Sequence, residues 1–151
     1  IMNCSNTDYR YISLACEEAI KSPVLYKHGC IAVVSGKIIA RGYNNYRTYS
    51  KDGLIKNTCT CHAEVDVLRK CLKQNIYKKI KLYVIRISFD NRILLSKPCN
   101  ECYNTMKLFE IKHIIYSDAM GQIIKQNMTE FIPTHNSSGY NAIENNKVLM
   151  L

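Results

Sequence analysis

The sequence has no apolar run approaching the roughly 18 residues of a membrane-spanning helix, so no such span is expected in its 151 residues. Its opening residues lack a basic-then-apolar export signal, which sets the expectation of a cytoplasmic, reducing setting. No internal repeat or low-complexity block is present, so neither a solenoid nor an internal linker is expected. Acidic residues are scarce. Twelve of them against 21 basic ones leave a formal net charge of +9. That surplus favours anionic partners such as nucleotides or nucleic acid. Plain solubility, or the lysine-rich usage of an AT-rich genome, is the competing explanation.

What is present suits one folded unit. With 47% hydrophobic and 22% charged residues, the expectation is a single domain over residues 1–151, with a core at about 6–127 and a tail at about 128–151. A chain of this length buries roughly 70% of the surface its unfolded form exposes, and so needs neither a disulfide nor a metal merely to fold. The eight cysteines are numerous, yet their spacing is not that of a small disulfide scaffold. Cys59-x-Cys61 and Cys99-x-x-Cys102 are close pairs, which in a reducing compartment point to metal or redox chemistry.

The patterning predicts the elements in order. Asn6-Thr7-Asp8 offers an N-cap, followed at helical spacing by Tyr11, Leu14, Ala15 and Ala19 until Ser22-Pro23 stops the run. Residues 30–34 and 38–43 predict a hairpin turned at Ser35-Gly36-Lys37. Residues 44–60 read as a long loop, of the kind that is usually functional or mobile. From His62, the positions Ala63, Val65, Val67, Leu68, Cys71 and Leu72 predict a helix packed on one broad face. Residues 81–88 predict a strand, continued over 92–96 beyond a turn at Asp90-Asn91. Pro98 opens a second helix running to about Ile111. Residues 113–116 and 122–125 predict further strands, and 148–151 a closing element. A hairpin followed by strand–helix alternation gives an α/β class, with a mixed sheet of about five strands and helices on both faces.

Four residues stand out: His62, Glu64, Cys99 and Cys102. Cysteines at i and i+3 share a helix face, and two thiolates there can grip one ion. A helix start presents unpaired N–H groups and the positive end of the macrodipole, which steadies thiolates. Residues at i and i+2 diverge in mid-helix, but at a helix start His62 and Glu64 can line one pocket. Two thiolates and one imidazole leave a zinc ion one ligand short of tetrahedral, the count of a catalytic site, with Glu64 as the natural base.

Cys61-His62-Ala63-Glu64 together with Pro98-Cys99-Asn100-Glu101-Cys102 resembles the zinc-dependent cytidine and deoxycytidylate deaminase superfamily, whose general signature is His-x-Glu followed by Pro-Cys-x-x-Cys. The resemblance spans about residues 6–127. It implies a three-layer α/β/α fold and one Zn2+ per chain, held by His62, Cys99 and Cys102. Glu64 would shuttle protons, and the backbone donors of Ala63 or Cys99 would hold the ring carbonyl. Gly42-Tyr43-Asn44 looks like the family's Gly-aromatic-Asn, which implies that Asn44 contacts the sugar. Homo-oligomeric assembly is implied as well. Tyr103-Asn104 stands where nucleoside-type members carry Arg-Gln, so the chain looks closer to the deoxycytidylate type. The expected reaction is dCMP to dUMP plus ammonia.

The sequence departs from that type after Asn44, reading Asn45-Tyr46-Arg47 in place of Gly and a nearby Pro. Arg47, with Lys51 and Lys56, is the expected phosphate contact in this loop. Two other readings stand beside the mononucleotide one. Tyr43, Tyr46 and Tyr49 interleave with Arg47 and Lys51, and a second basic run spans 69–81, as a polynucleotide deaminase acting on tRNA or single strands would need. A non-catalytic zinc-stabilised module would have no use for Glu64. Cys59 and Cys61 read as ordinary thiols, with an auxiliary metal site including His28 or His113 as the alternative.

Overall fold

Ser5, one residue ahead of the expected run, caps the first helix, α1 (Asn6–Ile20). Its hydroxyl accepts from the Asp8 amide at 3.1 Å while Asp8 accepts from the Ser5 amide at 2.8 Å, a reciprocal capping box. A computed structural model describes residues 2–56, 58–137 and 139–141, so the closing element expected at 148–151 lies outside the described residues.

The strands are β1 (Lys27–Val34), β2 (Lys37–Tyr43), β3 (Ile80–Ile87), β4 (Ile93–Leu94), β5 (Ile111–Ser117) and β6 (Ile123–Asn127). They form one sheet in the order β2-β1-β3-β5-β6, with β4 paired to β3 outside that path. The β3–β5 pair is parallel and the others are antiparallel, so the sheet is mixed as expected, with six strands for the anticipated five or so. The region 92–96 does not continue β3. Asn91 takes φ of 63°, a left-handed turn that asparagine tolerates, and β4 doubles back to pair Leu94 with Arg86.

The second helix, α2 (Ala63–Lys73), starts where the pattern places it. The third, α3 (Asn100–Met106), is shorter than expected: Pro98 lies outside it, Cys99 is its N-cap, and it stops well before Ile111. Backbone bonds from Glu110 to Tyr77 and from Ile80 to Glu110 draw residue 110 into the sheet, which ends the helical path.

Side chains alternate across each strand, so β1 and β3 feed two cores. On one face Ile31, Val33, Tyr83 and Ile85 pack against Tyr11, Ile12, Ala15 and Ala19 of α1. On the other, Cys30, Ala32, Leu82 and Val84 meet Val67 and Leu68 of α2 and Met106 of α3. The result is the three-layer α/β/α arrangement. Among the described residues no helix is long and apolar enough to cross a membrane.

The described residues of 44–62 carry no helix or extended strand, yet the segment is tied down. Asn45 and Cys61 exchange two backbone hydrogen bonds of 3.0 and 2.9 Å, drawing Asn44 beside the start of α2. The Arg69 guanidinium on α2 binds Asp52 at 2.8 Å.

Candidate metal centre and active site

His62 and Cys99 occupy the N-cap positions of α2 and α3, and neither side chain caps its own helix. Both are therefore free to turn toward a common point. There the donor atoms of His62, Cys99 and Cys102 lie within 4.8 Å of one another. The Nδ1 of His62 sits 3.0 Å from the Cys102 sulfur and 3.5 Å from that of Cys99. Both cysteines are almost wholly buried. Among the described residues this is the only trio of metal-capable donors so gathered.

The protonation pattern suits a cation. A hydrogen bond from Cys102 is the main influence holding the Cys99 thiol down to about 6, burial opposes it, and His62 adds to it. Burial would depress His62, but the hydrogen bond and charge of Cys99 outweigh it and bring the imidazole up to about 9. Cys102, sharing its proton with Cys99, is raised. The three groups thus crowd positive protons around sulfur, which is the place a divalent ion takes when thiolates and neutral imidazole bind it. Two sulfurs and one ring nitrogen fit zinc.

Glu64, in the first turn of α2, is 4% exposed and opens onto a cavity of about 410 Å³ that His62 and Cys99 also line. That volume is within the usual range for small-molecule sites. The expected residues are distributed unequally around it. Asn44 lines the cavity, and its amide is partly committed: Oδ1 accepts from the His28 amide at 2.9 Å and Nδ2 donates to the Tyr26 carbonyl at 2.6 Å. One N–H and one lone pair remain. Ala63 is fully buried as the first residue of α2, where its N–H has no partner within the helix. Arg47 is not a wall residue. It is exposed, and its Nε donates to the Tyr49 carbonyl at 2.8 Å. Lys51 is also exposed, and Lys56 borders an adjoining recess of about 80 Å³ that shares His62 with the main cavity.

The cations facing the main cavity are Arg86 and Lys97, neither of which sequence reasoning singled out. His28 lines it too, and among the described residues it gathers into no metal-capable group with Cys59 and Cys61. His28 and Arg86 were legible in principle. They continue the inward rows Ala32–Cys30 and Leu82–Val84 past the ends of the helices, where period-2 alternation aims them into open space.

The tail supplies the remaining wall through His135, Asn136, Ser137 and Gly139. The two non-ligand residues between Cys99 and Cys102 hold it there. The Asn100 amide donates to the His135 carbonyl at 2.9 Å and its side chain to Asn136 at 2.7 Å. Glu101 accepts from the Ser137 amide at 3.1 Å and hydroxyl at 2.8 Å. No local sequence signal marks this contact, because it joins residues some 36 positions apart.

A family model described as the cytidine and deoxycytidylate deaminase zinc-binding region matches residues 5–118. Among solved structures, apo dCMP deaminase from cyanophage S-TIM5 is similar with a TM-score of 0.58 at 20% identity, covering 78% of this chain and 86% of that one. Cytidine deaminase from Burkholderia pseudomallei is similar with a TM-score of 0.64 at 15% identity, covering 87% and 99%. Cytidine deaminase from Mycobacterium leprae gives 0.59 at 15% identity over 87% and 100%. At such identities the structural likeness speaks to the fold. No curated protein sequence matches.

Proposed function

The chain belongs to the cytidine and deoxycytidylate deaminase family, a family of zinc hydrolases acting on C–N bonds, and from that premise we propose that it hydrolytically deaminates a cytosine mononucleotide, dCMP to dUMP and ammonia. The observation that carries this reading is the buried carboxylate of Glu64 sharing one cavity with His62 and Cys99. His62, Cys99 and Cys102 would hold the zinc. When bound there, zinc supplies a Lewis acid that brings the pKa of water toward neutrality.

Glu64 accepts a proton from the attacking water and passes it to the ring nitrogen beside C4. With the C–O bond formed at C4, the same carboxylate takes the proton of the new C4 hydroxyl and delivers it to the amino group, so the C–N bond breaks, ammonia leaves and the C4 carbonyl of a uracil ring remains. The Ala63 N–H, unpaired within its helix, takes the ring carbonyl. Asn44 offers its remaining N–H and lone pair to the sugar while its other bonds fix the start of β1. His135, Asn136, Ser137 and Gly139 would screen the reacting carbon from bulk water on the tail side of the cavity.

The test is ammonia release from dCMP, CMP, deoxycytidine, cytosine and a tRNA anticodon stem-loop. Preference for dCMP is the expected result, and equal kcat/KM on dCMP and deoxycytidine overturns the mononucleotide reading. One observation favours a polynucleotide: Tyr46 and Tyr49 are 61% and 67% exposed next to Arg47. Turnover of the stem-loop alone, falling steeply with salt, installs that second reading.

A further inference from the structure

We propose that Arg86 is the anion anchor of the catalytic cavity, the residue that takes the phosphate of a nucleoside monophosphate and sets the preference for phosphorylated over unphosphorylated substrate. This rests on the mononucleotide reading above and assigns its specificity to a residue outside the zinc motifs.

Arg86 stands on β3 in the row Leu82–Val84–Arg86, which faces the helix layer. Leu82 and Val84 lie beneath the helices, whereas Arg86 reaches the cavity beyond them, which Glu64 and His62 also line. Its guanidinium lies 4.7 Å from the centroid of the Tyr26 ring, a cation–π contact that fixes the side chain and leaves an edge of the fork free. No carboxylate pairs with it among the described residues. Its Nε is buried and has no hydrogen-bond partner among the described residues.

A charged donor buried and unmatched is costly, so its persistence in a cavity wall points to an acceptor brought by the ligand. Two further groups shape what that acceptor is. Lys97 lines the same cavity and adds positive field. His28, across the β1–β3 pair from Arg86, is pushed down to about 4, chiefly by burial, and so is neutral at physiological pH. A neutral imidazole and a guanidinium together leave the site suited to a phosphate, which a planar fork binds bidentately. Arg47, the phosphate contact expected from the sequence, does not line this cavity; its Nε donates to the Tyr49 carbonyl.

The experiment is calorimetric binding of dUMP and deoxyuridine to zinc-loaded wild type, Arg86→Gln and Arg86→Lys, with zinc content and Tm measured on each. A short single-stranded DNA is the third probe. Wild type should bind dUMP much more tightly than deoxyuridine. Arg86→Gln should weaken dUMP on the order of 100-fold, the loss of one or two charge-assisted hydrogen bonds, and so collapse the dUMP-over-deoxyuridine ratio. Arg86→Lys should recover part of that ratio through its charge. An unchanged ratio in Arg86→Gln overturns the anchor, as does a wild type that binds dUMP no better than deoxyuridine. If the variant loses affinity only for DNA, the phosphate belongs to a nucleic-acid backbone and the monophosphate proposal falls. Arg86-dependent dUMP binding without ammonia release from dCMP would sink the deamination reading while leaving the anchor standing.

Discussion

At the scale of single residues, two carboxylates have opposite fates. Glu64 is buried yet opens onto the cavity. Glu64→Gln should retain zinc and fold but lose deamination by about 10²–10⁴-fold, since one carboxylate serves both proton transfers; metal analysis and steady-state turnover on dCMP check it. Asp8 is buried for structure. Its carboxylate binds Lys125 at 2.8 Å and the Tyr83 hydroxyl at 2.6 Å. Burial pushes its pKa up, but the hydrogen bonds from Lys125, Tyr83 and the Ser5 amide outweigh that and hold it well below the usual carboxylate range. A folded-state pKa below the unfolded one stabilises fully above about pH 4 and is lost as the pH falls below it. Denaturant titrations should therefore show stability falling between about pH 4 and 2, with a shallower slope in the Asp8→Asn/Lys125→Met double variant. Lys125→Met alone, which leaves a buried charge unpaired, should cost about 3–5 kcal/mol.

At the scale of elements, the approach of α1 to the sheet depends on Gly29. A Cβ built there would lie 1.9 Å from the Ala15 carbonyl oxygen and 2.5 Å from the Ala19 nitrogen. These are helix backbone atoms that cannot swing aside. Gly29→Ala should thus displace α1 and cost about 3 kcal/mol, the upper end for overpacking. That corresponds to a fall in Tm of roughly 6–12 °C for a chain of this size, read by circular dichroism. Gly42 faces the opposite layer, where a Cβ would lie 2.2 Å from the Asp66 carboxylate and 3.0 Å from a methyl of Val67, side-chain neighbours on α2 that would have to shift. The glycine of Gly42-Tyr43-Asn44 is thereby explained by packing against α2, while the asparagine beside it faces the cavity.

For the whole molecule, one continuous sheet with helices on both faces leaves no seam among the described residues. We propose that the zinc-loaded chain unfolds in a single transition. With 11 tyrosines and no tryptophan, tyrosine fluorescence and far-ultraviolet circular dichroism should give coincident midpoints; two separated transitions would count against a single domain. Zinc binding must displace protons from Cys102 and His62, so affinity should rise with pH and fall on acidification, as chelator competition at several pH values would measure. The surface charge has also been redistributed by folding. Arg69, which opens the basic run 69–81, is 8% exposed and paired to Asp52, so that run is not a continuous face for nucleic acid.

The sequence by itself determined the layers and the three residues that gather as candidate metal ligands. Hydrophobic periods of 2 and 3.6 are local, and so is the meaning of His-x-Glu and Cys-x-x-Cys at the starts of helices. The cap at Ser5 was a local miss, settled by its reciprocal bonds with Asp8, whereas the doubling back of β4 and the early end of α3 each depended on a backbone partner in another segment. The walls of the cavity were decided only by tertiary structure. Arg47 is close to Asn44 in the chain but its guanidinium turns to Tyr49, whereas Arg86, 42 residues beyond Asn44, enters through strand pairing with His28. The tail segment reaches the site because Asn100 and Glu101 bind it across some 36 residues. Metal chemistry needs particular residue types at short spacing, which sequence records. Substrate recognition needs charge in a particular place, and place is set by long-range pairing.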